Sequence, residues 1–210
     1  VTITPQDLRE MVIKMASSVE AILQKCLAPD ASIDEVQEIE DEVNLFHTTL
    51  DDTVFKYIAL RHPAARDLRE ALAIMKINTD LERISDQSIN IKRYWDDVEK
   101  NYPEVFSMKD EVFYMVKSAM DSFVHSDIEL ANKVIAHDKK VNQLNKDLAK
   151  SFLKKMKTES MAFHEGYAVV RVVKNLERIG DLATNISEDV IFLESGADIR
   201  HQPQREEDKK

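Results

Sequence analysis

Leu81-Glu82-Arg83-Ile84-Ser85-Asp86 returns 95 positions later as Leu176-Glu177-Arg178-Ile179-Gly180-Asp181, and Asn90-Ile91 is answered at the same offset by Asn185-Ile186. Within each phrase the acids stand four residues apart, which puts both on one face of a helix. A phrase repeated this far along a chain implies an internal duplication with one pocket per copy. The 210 residues then divide into halves of roughly 100 residues, each just large enough to expect a core of its own.

Around the first copy, Ile74, Ile77, Leu81, Ile84, Ser88 and Ile91 make one apolar stripe at ~100° per residue. Leu68, Leu72, Met75, Thr79, Glu82 and Asp86 make a second beside it, apolar at its start and acidic at its middle. This pattern predicts a helix from about Ala64 to about Glu99, its acids set into a core-facing stripe. Around the second copy, Val169, Val172, Leu176, Ile179, Ala183 and Ile186 repeat the apolar stripe, and Gly196 is placed to cap the helix end.

Thr4-Pro5 opens an amphipathic helix carrying Leu8, Val12, Met15, Val19, Leu23 and Cys26. Ser32 with Glu35 reads as a capping box for a second, which runs along Val36, Val43, Leu50, Val54 and Tyr57 until Pro63 closes it. Pro103 and a Ser107/Asp110 start signal mark the boundary between the halves and the fourth helix. Ser126 with Glu129 reads as a further capping box, opening a fifth helix whose seam is Val134, Asp138, Val141, Asn145, Leu148 and Phe152. The Thr158–Gly166 region is the loop to the sixth. The expected fold is all-α: six helices forming two tandem, similar three-helix bundles, residues 1–101 and 102–197, with a polar tail over 198–210.

Composition excludes several classes. A net charge of −10 disfavours nucleic acid and anionic lipid as partners, leaving protein surfaces and cations. The single cysteine, Cys26, forms no intramolecular disulfide and falls on an apolar stripe, which points to a reducing cytoplasm and to inert packing. No apolar run approaches the ~20 residues that span a bilayer, and the amino-terminal stretch lacks the plan of a signal peptide. Three isolated Gly build no phosphate loop. A ferritin-like di-iron enzyme needs Glu-x-x-His on two helices, and none of the six His has a Glu three residues before it. The His are scattered, and His137, beside Asp138, is the one near a candidate site.

Each acidic pair has a possible partner on the preceding helix. Glu40-x3-Asn44 precedes Glu82/Asp86, and Asp138-x3-Asn142 precedes Glu177/Asp181. Paired helices offering oxygens at i and i+4 suit hard or borderline divalent and trivalent cations. The alternative is an ion-pair network in which Arg83 and Arg178 neutralise the acids, although on a helical wheel Arg83 projects ~60° from Asp86 and ~100° from Glu82. Spacing does not choose between the two.

At these residues the chain resembles a known family. Asp67-Leu68-Arg69 with Asp80-Leu-Glu-Arg-Ile-Ser-Asp86, Asn175-Leu-Glu-Arg-Ile-Gly-Asp181, and Asp138-Lys-Lys-Val-Asn142 are similar to signature segments of the PhoU family, and the likeness runs from about Leu8 to about Ser195. The resemblance implies tandem three-helix bundles and no enzymatic activity. It implies a cytoplasmic negative regulator of the phosphate-starvation response, acting with the ATPase subunit of a phosphate ABC transporter and a sensor histidine kinase. It also implies iron or zinc on the motifs Glu82/Asp86 and Glu177/Asp181, with Glu40 and Asp138 opening the partner motifs. Asn44 and Asn142 stand where that pattern has carboxylates, so each half loses one anionic ligand and keeps an amide carbonyl. A homodimer is expected, the commonest oligomer.

Overall fold

The structure, a computed structural model, describes residues 3–196. The polar tail and His201 lie outside the described residues, as does the last residue of the expected second unit. Six helices follow one another: α1 Pro5–Lys25, α2 Ile33–Arg61, α3 Ala65–Trp95, α4 Pro103–His125, α5 Ile128–Lys157 and α6 Phe163–Ser195. Within the first three helices every pair is in contact, and so is every pair within the last three. This is the tandem three-helix arrangement the repeat implies.

Local signals set most helix ends. Thr4 and Ser32 each form a full capping box, with Asp7 and Glu35, and Pro5 takes a first-turn position where its missing N–H is no loss. α6 ends at Gly196, whose φ of 74° is the left-handed geometry of a C-cap. Arg69 of α3 lies against it, and a Cβ there would stand 2.9 Å from the guanidinium.

Four boundaries differ from expectation. α4 starts at Pro103, leaving Ser107 and Asp110 inside the helix, because proline presets the first helical residue. α5 is capped by Asp127, which accepts from the Leu130 amide at 2.9 Å. Ser126 is spent ending α4 in a left-handed conformation, so the Ser126/Glu129 box does not form. α3 stops at Trp95 rather than near Glu99, where Trp95 packs edge-on against Phe106 of α4. α6 begins at Phe163, so Gly166 is helical, with the Met156 side chain filling the place of a Cβ.

The principal stripes of α3 and α6 are buried throughout. The second stripe of α3 is not core: Glu82 and Asp86 are half-buried at its boundary and Leu72 is exposed. Nor does each half keep a core to itself. A continuous apolar cluster runs from Leu8 in α1 to Leu193 in α6. The seam is α3 against α6, the most extensive helix contact. Lys76 meets Asp189, Arg66 meets Glu194 and Arg171 lies over Tyr94, so the two helices run antiparallel. Their pairings centre near Ser85 and Gly180, equivalent positions of the repeated phrase, which relates the halves by an approximate two-fold axis.

Candidate functional site

In the first half, α2 and α3 bring Glu40, Asn44, His47, Glu82 and Asp86 to one boundary. Glu40 is buried and accepts hydrogen bonds from Gln37 at 2.6 Å and Asn44 at 2.7 Å. Burial, and then the charges of Asp86 and Glu40, hold the Glu82 carboxyl above its ordinary range, while His47 and Arg83 pull it down. His47 Nδ1 is buried without a hydrogen-bond partner, and its Nε2 lies 3.8 Å from Asp51. This histidine was legible as the next turn of Glu40-x3-Asn44, three residues beyond Asn44 on the same helix face.

In the second half, Asn142 donates to Asp138 Oδ2 at 2.5 Å, and Asp138 Oδ1 is buried without a partner. That oxygen lies over Gly180, 3.7 Å from where a Cβ would stand. Burial and the charge of Glu177 raise Asp138, against Asn142 and His137, which lower it. Asp181 reaches solvent at its rim but is crowded on its inner side. That partial burial, then Glu177 and Asp138, carry it to about 6, with Lys174 opposing. Glu177 is tied to Lys174 one turn before it. His137 faces away from the acids, to Glu111 on α4 at 2.7 Å, where Lys140 also pairs at 2.8 Å.

The structure thus brings together the three expected acids of the second half, Asp138, Glu177 and Asp181, with Asn142, and, with His47, the acids of the first. The arginines do not close them. Arg83 is exposed and reaches Asp80 at 3.8 Å, and Arg178 has no salt-bridge partner among the described residues. Among those residues no three His, Cys, Asp or Glu side chains converge as a metal-binding group. Asn44 and Asn142 turn their NH₂ groups onto Glu40 and Asp138, and a rotated amide would present a carbonyl instead. The donor chemistry fits a single cation per half better than a cluster. Glu82 and Asp86 have no salt-bridge partner among the described residues and one Asp138 oxygen has no hydrogen-bond partner, whereas Lys174 already sits on Glu177. The halves are therefore unequal, since Thr79 occupies the repeat position of Lys174.

A profile for the PhoU domain matches residues 6–94 and again 105–190. The chain belongs to the PhoU family. It is 31% identical over 207 residues to the phosphate-specific transport system accessory protein PhoU homolog of Pseudomonas putida, covering 93% of this chain and 81% of that relative. The crystal structure of PhoU from Pseudomonas aeruginosa superposes with a TM-score of 0.87 at 30% identity, over 91% of this chain and 97% of that one. That of the phosphate transport system regulatory protein PhoU from Streptococcus pneumoniae has the same fold, with a TM-score of 0.84 at 22% identity over 92% and 96%. No described helix is long and apolar enough to cross a membrane.

One polar cluster in this PhoU-family chain falls outside the expected motifs. Lys76, Thr79, Asp80, Arg83, Asn185 and Asp189 line a cleft of about 360 Å³ between α3 and α6. Burial and then the charge of Asp189 raise Asp80 to about 6, despite Arg83, Lys76 and a hydrogen bond from Asn185. Asp189 pairs with Lys76 at 3.2 Å. Helical spacing puts Lys76, Thr79, Asp80 and Arg83 on one face of α3 and Asn185 and Asp189 on one face of α6, but only the antiparallel α3–α6 seam makes the two sets neighbours.

Proposed function

We propose that this protein is a cytoplasmic, non-enzymatic negative regulator of the phosphate-starvation response, working as a homodimer. It would couple the ATPase subunit of a phosphate ABC transporter to a sensor histidine kinase. The observation that carries this reading is the doubled PhoU domain over 6–94 and 105–190, together with relatives named accessory proteins of the phosphate-specific transport system. Net charge −10 supports protein partners and no nucleic acid. The test is co-purification from cells. The intact chain should bring down the transporter ATPase and the kinase, and reproducible absence of both would refute the coupling. Light scattering should give twice the chain mass.

As part of the same proposal, the acidic motifs hold iron or zinc. Glu40, Glu82, Asp86 and, by amide rotation, Asn44 would serve the first half, with Asp138, Glu177, Asp181 and Asn142 serving the second. Elemental analysis of untagged, chelator-free protein should find metal, and Glu82→Ala with Asp86→Ala should remove the larger share, because Lys174 competes in the other half. Unchanged metal content would leave these acids structural. The metal-free scaffold is the second reading, favoured by the Lys174–Glu177 pair and by the amide hydrogen bonds on Glu40 and Asp138. Protein devoid of metal would select it.

A further inference from the structure

Arg83 and Arg178, the matching basic residues of the repeated phrase, line one cleft with Gln87, Asp181 and Leu182, about 390 Å³ in volume, where α3 crosses α6. The approximate two-fold axis passes there, so the arginines approach it from opposite helices. Arg83 holds Asp80 only loosely, at 3.8 Å with its side chain 60% exposed, and Arg178 has no salt-bridge partner among the described residues. The cleft also offers hydrogen-bond acceptors. Asp181 contributes a carboxylate, and Gln87 Oε1 is buried with no hydrogen-bond partner.

We infer that this cleft binds a phosphoryl group carrying one proton, gripped by the Arg83 and Arg178 guanidiniums and donating its hydroxyl to Asp181 or Gln87. A guanidinium fork saturates the two oxygens of a carboxylate, whereas a phosphoryl group has oxygens for a fork from each side. The acceptors set the selectivity. Inorganic phosphate near neutral pH, and a phosphomonoester as its monoanion at about pH 6, keep a proton that a carboxylate can accept, while sulfate has none and meets Asp181 as like charge. The volume lies in the range of small-molecule sites, ~300–1,000 Å³, so free phosphate and a phosphorylated small molecule are two sources of one ligand chemistry. The inference is independent of the docking partners proposed above.

The test is calorimetric titration of the full chain, with chelator present so that no metal occupies Asp181. Inorganic phosphate, glycerol 3-phosphate, sulfate and acetate are the probes. Saturable binding of at least one phosphate compound, tenfold or more tighter than sulfate and acetate, is the expected result. Whichever phosphate compound binds more tightly names the source. R83Q and R178Q should each weaken binding about tenfold and together abolish it, while R66Q, remote from the cleft, should not change it. D181N should narrow the preference over sulfate. No saturable binding, sulfate bound as tightly as phosphate, or phosphate binding unaltered in the double arginine variant would each overturn the assignment. Circular dichroism establishes that the variants are folded; all three arginines are solvent-exposed, and their loss leaves the core intact.

Discussion

Glu165 is a buried carboxylate with two partners, both from the segment joining the halves: the Lys100 amide at 3.2 Å and the Tyr102 hydroxyl at 2.9 Å. Tyr102 in turn stands edge-on to Phe152, with ring centroids 5.2 Å apart. Removing the hydroxyl alone leaves the carboxylate underserved, so Tyr102→Phe should destabilise by ~1–3 kcal/mol in a urea melt. Burial first, and then its bond to Glu165, push the Tyr102 hydroxyl up to about 12. An unfolded tyrosine ionises near ~10. The stabilisation is thus whole below that pH and is lost as pH climbs through 12. Tyr57 is also raised by its burial, so tyrosinate absorbance should show late-ionising groups of which one is lost in Tyr102→Phe, and the stability gap between the two proteins should close at the alkaline end. Cys26 is inert by the same physics, since full burial lifts its thiol to about 12.

At the level of helices, the short link between α4 and α5 gives a sharp contrast. Asp127→Ala should cost about 1 kcal/mol, the usual loss of an N-cap. Glu129→Ala should stay within ~0.5 kcal/mol, because no capping box exists there to break. Thermal melts of the two single variants decide it. This junction also marks what the chain shows on its face. The stripes of α3 and α6, the Thr4 and Ser32 caps and the Gly196 terminus were legible because each depends on residues within a turn or two. Ser126 against Asp127 was not, since two helix ends compete for adjacent residues and only the path of the chain decides. The candidate site divides likewise. Glu82/Asp86 and Glu177/Asp181 are a matter of periodicity on one helix. The unpaired state of Glu82 and Asp86, the place of His47 and the clustering of Asp80 with Asp189 depend on how separate helices meet.

Across the molecule, the halves are joined by a residue that no motif announces. Arg9 of α1 pairs with Glu70 of α3 at 2.8 Å, donates to the Phe123 carbonyl at the end of α4 at 2.6 Å, and lies 4.4 Å over the Phe123 ring. Both partners of the ion pair are largely shielded, with side chains 18% and 14% exposed. Arg9→Met should therefore cost ~2–4 kcal/mol by stranding Glu70. Adding Glu70→Gln should recover part of that loss, a coupling that a double-mutant cycle measures. With one core and this strap, unfolding should be a single transition in calorimetry.

The antiparallel seam of α3 and α6 has a consequence for descent. Equivalent positions of the two copies face each other across it, so a primordial three-helix peptide would have met its own twin through that same surface. Fusing the genes would then have tethered a partnership that already existed, freeing each copy to drift. Thr79 against Lys174 is one mark of that divergence.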